Sequence, residues 1–426
     1  MTESYKSRSV AICDNGLFFE LARTLSQSFG RVFYTSPWVA DFPMSYHTES
    51  GEGFVEVEKV NDIWEIVDDV DLFVFPDLYQ GPLQEYLESK GKRVWGSRNG
   101  DELEIYRPEA KELFKSIGIK QSPYEVIKGI TALRKYIKSR GEEKLWIKIS
   151  QTRGDTETFC SEGYELIKNR LDRMQAEFGP VAEFREFVVE DNLPDTFDLA
   201  IDTYCIDGQF PSIAQLGNEQ KDEGYVCSVK KWKEMPKQLV QIYEKLAPTL
   251  KKYGYRNFFS LEVRTGESGF WLSDPCCRAG SPLLELEVNM IENIPDILWN
   301  GAEGKLVDPV YKGSFGYEVL AQSEWADQNP LRIEFDEKYR PQIKLRYAAQ
   351  FPDGMWIMPQ PTPSWHSTKA AFGAVVAYGD SLEDCVEQVE EIAGTIKGIG
   401  VEVFTGSIGE LQKNLKALED VGVRFG

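Results

Sequence analysis

The sequence predicts a mixed α/β and α+β protein built from three modules. Three observations carry this. Its first hundred residues alternate short apolar runs with amphipathic helical stretches, the rhythm of a parallel, doubly wound sheet. The middle of the chain interleaves long helices with strands that pair through short turns. The last hundred residues hold further strands and close on a helix. With 426 residues, 42% hydrophobic and 27% charged, the chain is long enough for two or three cores and has the composition of an ordinary folded protein.

Taken in order, "SVAIC" reads as a buried strand, "GLFFELARTLSQSF" as an amphipathic helix and "RVFYTSP" as a second strand. "VDLFVFPD" is a buried strand ending in a turn, followed by the helix "GPLQEYLESKG" and the strand "RVWGS". Ligands of such sheets sit at the carboxyl ends of the strands, here near Asp14-Asn15-Gly16 and Pro76-Asp77. A helix over about 108–116 stops at Gly118. The strand "KLWIKIS" leads into a polar loop "QTRGDTET" and the helix "YELIKNRLDRMQAEFG". Strands "VAEFREFV" and "TFDLAIDTYCIDGQF" follow, the second ending in the turn Asp207-Gly208. The helix "KQLVQIYEKLAPTLKKYG" precedes two strands, "FFSLEVR" and "GFWLSDP", joined by a turn containing Gly266 and Gly269. "QIKLRYAAQF" and "AAFGAVVAYG" are strands, and "SLEDCVEQVEEIAGTIKG" is a helix.

Bulk properties exclude several classes of function. A formal charge of −21 repels a phosphate backbone, so nucleic-acid duplex is not expected as a partner. No apolar run approaches the ~20 residues that span a bilayer, and "MTESYKSRSVAICDN" lacks the apolar core of a signal peptide. The expected setting is cytoplasmic. The two histidines, His47 and His366, argue against a His-based zinc site or a Ser-His-Asp triad. The seven cysteines (13, 160, 205, 227, 276, 277 and 385) form no C-x-x-C pair, and adjacent Cys276 and Cys277 on a strand point to opposite faces. Reduced, mostly buried thiols are expected.

A few residues could carry chemistry. Glu262 and Asp274 lie on the two strands of one predicted hairpin, where paired carboxylates suit Mg²⁺, a hard cation that also takes phosphate oxygens. Taken alone, two such acids are more often solvated. Arg278, beside the small residues Ala279-Gly280-Ser281, could hold a phosphate or carboxylate through two hydrogen bonds. Lys148 sits inside an apolar strand, so its ammonium must snorkel to water or meet an anion. The loop after it offers Arg153 and Gly154 among hydroxyls and backbone N–H groups, suited to covering phosphates. "EFREFVVED" ends a strand with apolar residues and an acid, the makings of an adenine slot between lobes.

In this order, "YRPEAKELFKSIGIKQSPY", "WIKIS", "REFV", "SLEVR", "LSDPCCRAGSP" and "AFGAVVAYGDSLEDCVEQVEEI" resemble the ATP-grasp superfamily, within it the phosphoribosylamine–glycine ligases, over nearly the whole chain. The resemblance implies an ATP-grasp fold: a Rossmann-like domain at 1–105, an ATP-grasp domain at 106–325 with lobes 106–180 and 181–325, and a C-terminal α+β domain at 326–426. It implies ATP and Mg²⁺, with Mn²⁺ as an alternative metal. Lys148 and Arg107 would meet nucleotide phosphate, together with Arg153 and Gly154. Glu186 and the backbone of Val188 would meet adenine, and Asp198 the ribose. Glu262, Asp274 and Cys276 fall on metal positions and Arg278 on the motif arginine.

The activity implied is an ADP-forming ligase that joins a small-molecule carboxylate, an amino acid foremost, to an amine through an acyl phosphate. Three departures shape this expectation. "CDNGLFFEL" stands where the family has "G-x-G-G-R-E-H", Cys276 replaces a metal-site asparagine, and "AGSPL" replaces "F-G-D-P-E". They argue against phosphoribosylamine and glycine themselves as substrates. A nucleotide binder without turnover, or an interaction protein that keeps only the fold, are the alternative classes, and a homodimer is the default assembly.

Overall fold

The computed structural model describes residues 5–35, 50–151, 158–359 and 370–426. His47, Arg153, Gly154 and His366 lie outside them. The N-terminal module is the expected parallel sheet. Its strands are β1 (Ser9–Cys13), β2 (Arg31–Thr35), β3 (Glu58–Val60), β4 (Leu72–Val74) and β5 (Arg93–Trp95), ordered β3-β2-β1-β4-β5. Alternate residues of β1 enter different cores: Val10 and Ile12 pack on one face, Ala11 and Cys13 on the other. Burial of both faces explains why these strands read as unbroken apolar runs. Helices α1 (Phe19–Ser26) and α2 (Gly81–Ser89) connect them.

Short α3 (Glu102–Ile105) and α4 (Arg107–Ser116) lead into the first lobe of the central module. There an antiparallel sheet of β6 (Tyr124–Lys128), β7 (Leu145–Ile149), β8 (Thr158–Ser161) and β9 (Glu186–Asp191) is ordered β6-β9-β7-β8. Helices α5 (Ile130–Arg140) and α6 (Tyr164–Phe178) pack on it through Leu133, Ile137, Leu171 and Met174. The strand expected over 181–188 is displaced. Residues Gly179–Glu183 form a short 3₁₀ turn with Pro180 in its first positions, and β9 starts only at Glu186. A buried acid near the end of β9, Glu190, had interrupted the apolar pattern.

The second lobe holds β10 (Phe197–Ile206), β11 (Ile213–Gln220), β12 (Gly224–Lys231), the long helix α7 (Lys237–Lys252), β13 (Arg256–Gly266) and β14 (Gly269–Cys276). Asp207 and Gly208 both take positive φ (50° and 81°), which only a tight turn of their residue types carries comfortably. No strand was expected between Gly208 and Lys237. β11 buries Gln215 and Asn218 almost completely, and polar residues inside a strand erase its apolar signature.

After α8 (Leu284–Met290) and α9 (Ile294–Ala302) come β15 (Phe315–Ser323), β16 (Leu331–Ile333), β17 (Ile343–Leu345), β18 (Ala348–Phe351), β19 (Gly354–Ile357), β20 (Ala370–Gly379), α10 (Leu382–Ala393), β21 (Val401–Val403) and α11 (Ser407–Asp420). The run expected as one strand, "QIKLRYAAQF", is broken into β17 and β18 by Tyr347, whose φ is 52°. One sheet, β14-β13-β10-β11-β12-β15-β20-β17 with β21 on β15, crosses the expected boundary at 325/326. β16, β19 and β18 form a small separate sheet. Among the described residues, no helix is long and apolar enough to cross a membrane. All seven cysteines are free, five of them buried.

Candidate active site

The cleft between the two central lobes gathers side chains from α3, α4, β7, β9, β13 and β14. Its centre is the β13–β14 hairpin, where Glu262 stands directly opposite Asp274. The register shifts at this point: Val263 pairs with Leu272, which leaves Ser273 as an extra residue on β14. Such a bulge turns local backbone out of the ladder. Here it presents the Ser273 carbonyl to two lysines, Lys111 and Lys148, at 3.0 and 3.2 Å.

Lys148, 2% exposed on β7, reaches Asp274 Oδ2 at 2.5 Å and Glu190 Oε2 at 3.0 Å. Arg107 pairs with the other oxygen of Asp274, and Lys111 with Glu190. Arg107 and Lys111 lie four residues apart at the start of α4, so one helix face delivers both. Three buried cations thus converge on two carboxylates. Burial alone would raise the Asp274 carboxyl, but Lys148, Arg107 and Lys111 outweigh it and hold the group well below the usual range. Burial would lower the Lys148 ammonium, yet Asp274 and Glu190 carry it upward. For Lys111 burial prevails, reinforced by Lys148, and its ammonium is shifted down.

Glu262 behaves oppositely. Enclosure by the cleft walls, then the Asp274 and Asp198 carboxylates, push its carboxyl upward against Lys148 and Lys221. Its surface opens to solvent, so water screens part of that effect. Asp198 lines the same cleft, with its carboxylate 2.6 Å from Arg264. Beneath them, Asp202 accepts from Tyr225 Oη at 2.5 Å and Ser260 Oγ at 2.6 Å. Gly217 makes room for this pair: a Cβ there would lie 2.2 Å from the Tyr225 hydroxyl.

Arg278 reaches the cleft as expected and is braced by Glu104, whose Oε1 accepts from its Nε at 3.0 Å. The second oxygen of Glu104 accepts from the Cys277 N–H at 2.7 Å, fixing the turn that carries Arg278. Two expected adenine contacts are placed elsewhere. Glu186 and Val188 do not line the cleft; the end of β9 and the residues after it, Glu190 to Leu193, do. The later course of β9, which starts at Glu186 rather than Val181, goes with this. Cys276 lines the cleft, but its thiol is directed at the Arg278 carbonyl at 3.7 Å. No group of three or more His, Cys, Asp or Glu side chains among the described residues is arranged to hold a metal ion. Glu262 and Asp274, facing each other across the hairpin, are the carboxylates that could hold Mg²⁺, but both oxygens of Asp274 are engaged by Lys148 and Arg107 and would have to be released to the ion.

Sequence reasoning passed over Lys111, Glu190, Ser273 and Glu104. The i, i+4 spacing from Arg107 was a usable signal for Lys111, and the acid closing "EFREFVVED" for Glu190. Nothing local marks Ser273 or Glu104, which acquire their roles from a bulge and a long-range contact.

No family model and no curated protein sequence matches the chain. Solved structures do. Phosphoribosylamine–glycine ligase from Thermotoga maritima superposes over 93% of this chain and 98% of its own, with a TM-score of 0.68 and 15% identity. Biotin carboxylase from Campylobacter jejuni covers 98% and 97%, with a TM-score of 0.63 and 12% identity. N5-carboxyaminoimidazole ribonucleotide synthetase from Thermus thermophilus covers 91% and 98%, with a TM-score of 0.57 and 11% identity. With a parallel N-terminal sheet, two central lobes around a lysine-lined cleft and a C-terminal module that all superpose on these enzymes, the chain has the ATP-grasp fold.

Proposed function

We propose that this protein is an ATP-dependent ligase that joins a small-molecule carboxylate to an amine. The observation that carries the reading is the convergence of Arg107, Lys111 and Lys148 on the carboxylates of Asp274 and Glu190. Three buried cations held in one cluster, in a chain of net charge −21, suit the terminal phosphates of a nucleotide. Mg²⁺, or Mn²⁺, on Glu262 and Asp274 would neutralise phosphate charge. Glu190 to Leu193 would meet adenine, and Asp198 the ribose.

Phosphoryl transfer from ATP to the substrate carboxylate would give an acyl phosphate and ADP. The amine would then displace phosphate and close the amide. Arg278, fixed by Glu104, is placed to hold the negative charge that develops on the reacting carboxylate. The substrate pair differs from phosphoribosylamine and glycine, as the altered N-terminal loop and the "AGSPL" turn imply. A cytoplasmic setting is consistent with seven free thiols.

Release of ADP is to be measured over a panel of amino acids and amines with Mg²⁺. Turnover with at least one pair is expected, and no ADP under any pairing would count against the ligase. The thiol at 276, turned to the Arg278 carbonyl, favours a second reading: nucleotide binding without turnover. The two part on a simple comparison. Both require that ATP raise the melting temperature and that Lys148→Ala abolish that rise, whereas only the ligase releases ADP.

A further inference from the structure

A second cavity, of about 680 Å³, lies between α1, the α8–α9 stretch and β17. It shares no lining residue with the lysine-lined cleft. Its volume falls in the range of roughly 300–1,000 Å³ usual for small-molecule sites.

Lys344, in the middle of β17, lines this cavity and is only 6% exposed. Its ammonium makes no hydrogen bond or ion pair with any described residue. Glu20, the carboxylate that acts most strongly on it, is already engaged. Glu20 receives Arg340 Nη2 at 2.7 Å, Arg23 Nη1 at 3.3 Å and the Leu345 N–H at 3.3 Å. Burial lowers the Lys344 ammonium to about 8; Glu20 opposes that shift and Arg340 and Arg23 reinforce it. On the same wall, Gln342 Oε1 is buried without a hydrogen-bond partner. A nearly buried cation and a buried acceptor, both without a partner among the described residues, are costly to keep unless something else meets them.

The lining as a whole is cationic, which sets it apart from the rest of the surface. Arg23, Lys312, Arg340 and Lys344 face Glu20, Glu292 and Glu337, four charges against three. The chain overall carries 69 acidic and 48 basic residues.

We propose that this cavity is a binding site for a small organic anion. Its carboxylate or phosphate group pairs with Lys344, and a donor group on the same molecule meets Gln342. The ligand would bridge the N-terminal sheet, through α1, to the C-terminal strand β17. The site is separate from the ligase reading and stands or falls without it.

Titration calorimetry on the full chain, with citrate and inorganic phosphate as separate probes, tests the proposal. At least one probe should bind; the tighter of the two identifies the preferred head group. Lys344→Met should weaken that binding by about tenfold or more, the loss expected of a charge-assisted hydrogen bond. Lys148→Ala, in the other cleft, should leave it unchanged. Absence of binding by the wild type overturns the site, as does binding that Lys148→Ala removes and Lys344→Met spares. Should Lys344→Met not fold, the wild type supplies the readout. Acylation of Lys344 by acetic anhydride, followed by mass spectrometry, should slow when the anion is added, and an unchanged rate rejects the assignment.

Discussion

Arg346 shows how much a single buried charge can matter here. Fully enclosed behind the turn that carries Leu283, it bonds Glu285 at 2.5 Å, while Glu318 lies 3.8 Å away. Glu318 has no exposed surface and accepts from the Leu283 and Leu286 N–H groups. Burial first, then the Glu285 charge, raise its carboxyl to about 8 despite Arg346 and those two N–H groups. A carboxyl raised on folding binds more protons in the folded state, so its contribution is full below the ordinary carboxylate range. That contribution is lost as pH rises through neutrality towards 8. Glu318→Gln mimics the protonated form and should be near neutral at pH 4 but increasingly stabilising relative to wild type from there up to pH 9, measured by urea unfolding. Arg346→Met should cost about 3–5 kcal/mol, because it strands the Glu285 charge in the interior. None of this was legible in the sequence. Arg346, Glu285 and Glu318 sit far apart along it, and a charged residue in an apolar run gives no hint of its partner. Lys148 was legible because its own strand made an unpaired lysine conspicuous.

At the scale of elements, the β13–β14 hairpin is the decisive one. Its strands and its acids were readable from alternation and spacing, since a hairpin of near-equal arms places residues across from each other by length alone. The bulge at Ser273 was not readable, because an inserted residue leaves no mark in a two-residue period. Removing Ser273 should restore a regular ladder, with Asp274 still opposite Glu262, and withdraw the carbonyl that the bulge presents to Lys111 and Lys148. The expected outcome is a folded chain, checked by circular dichroism, whose melting temperature no longer rises with ATP. β9 teaches the complementary lesson. A later strand start, at Glu186 after a proline-initiated turn instead of at Val181, goes with a cleft-lining segment at 190–193 rather than 186–188.

For the whole molecule, the shared sheet governs behaviour. β15 pairs with β20 along one edge and with β12 and then β21 along the other, so the last hundred residues complete a sheet begun in the central module. Helix α11 adds to this by burying Leu418 against the central core. A chain ending at residue 325 would leave β15 as a long apolar edge, a template for association. It should elute from a sizing column as aggregate rather than monomer, whereas the intact chain should melt in one transition across both parts. The order of modules was plain from the sequence. Their fusion was not, because β-sheet partners distant in sequence leave no local trace.

The pairing of Arg107, Lys111 and Lys148 with Asp274 and Glu190 also sets how nucleotide affinity responds to salt. Cations exposed to solvent gather mobile counterions, and an incoming polyphosphate gains entropy by releasing them. Here the counterions are covalently part of the chain and are displaced only locally. ATP affinity should therefore fall with added KCl much less steeply than three free cations would dictate, a slope obtained by titrating ATP at several ionic strengths. Replacing Glu190 by Gln should steepen it.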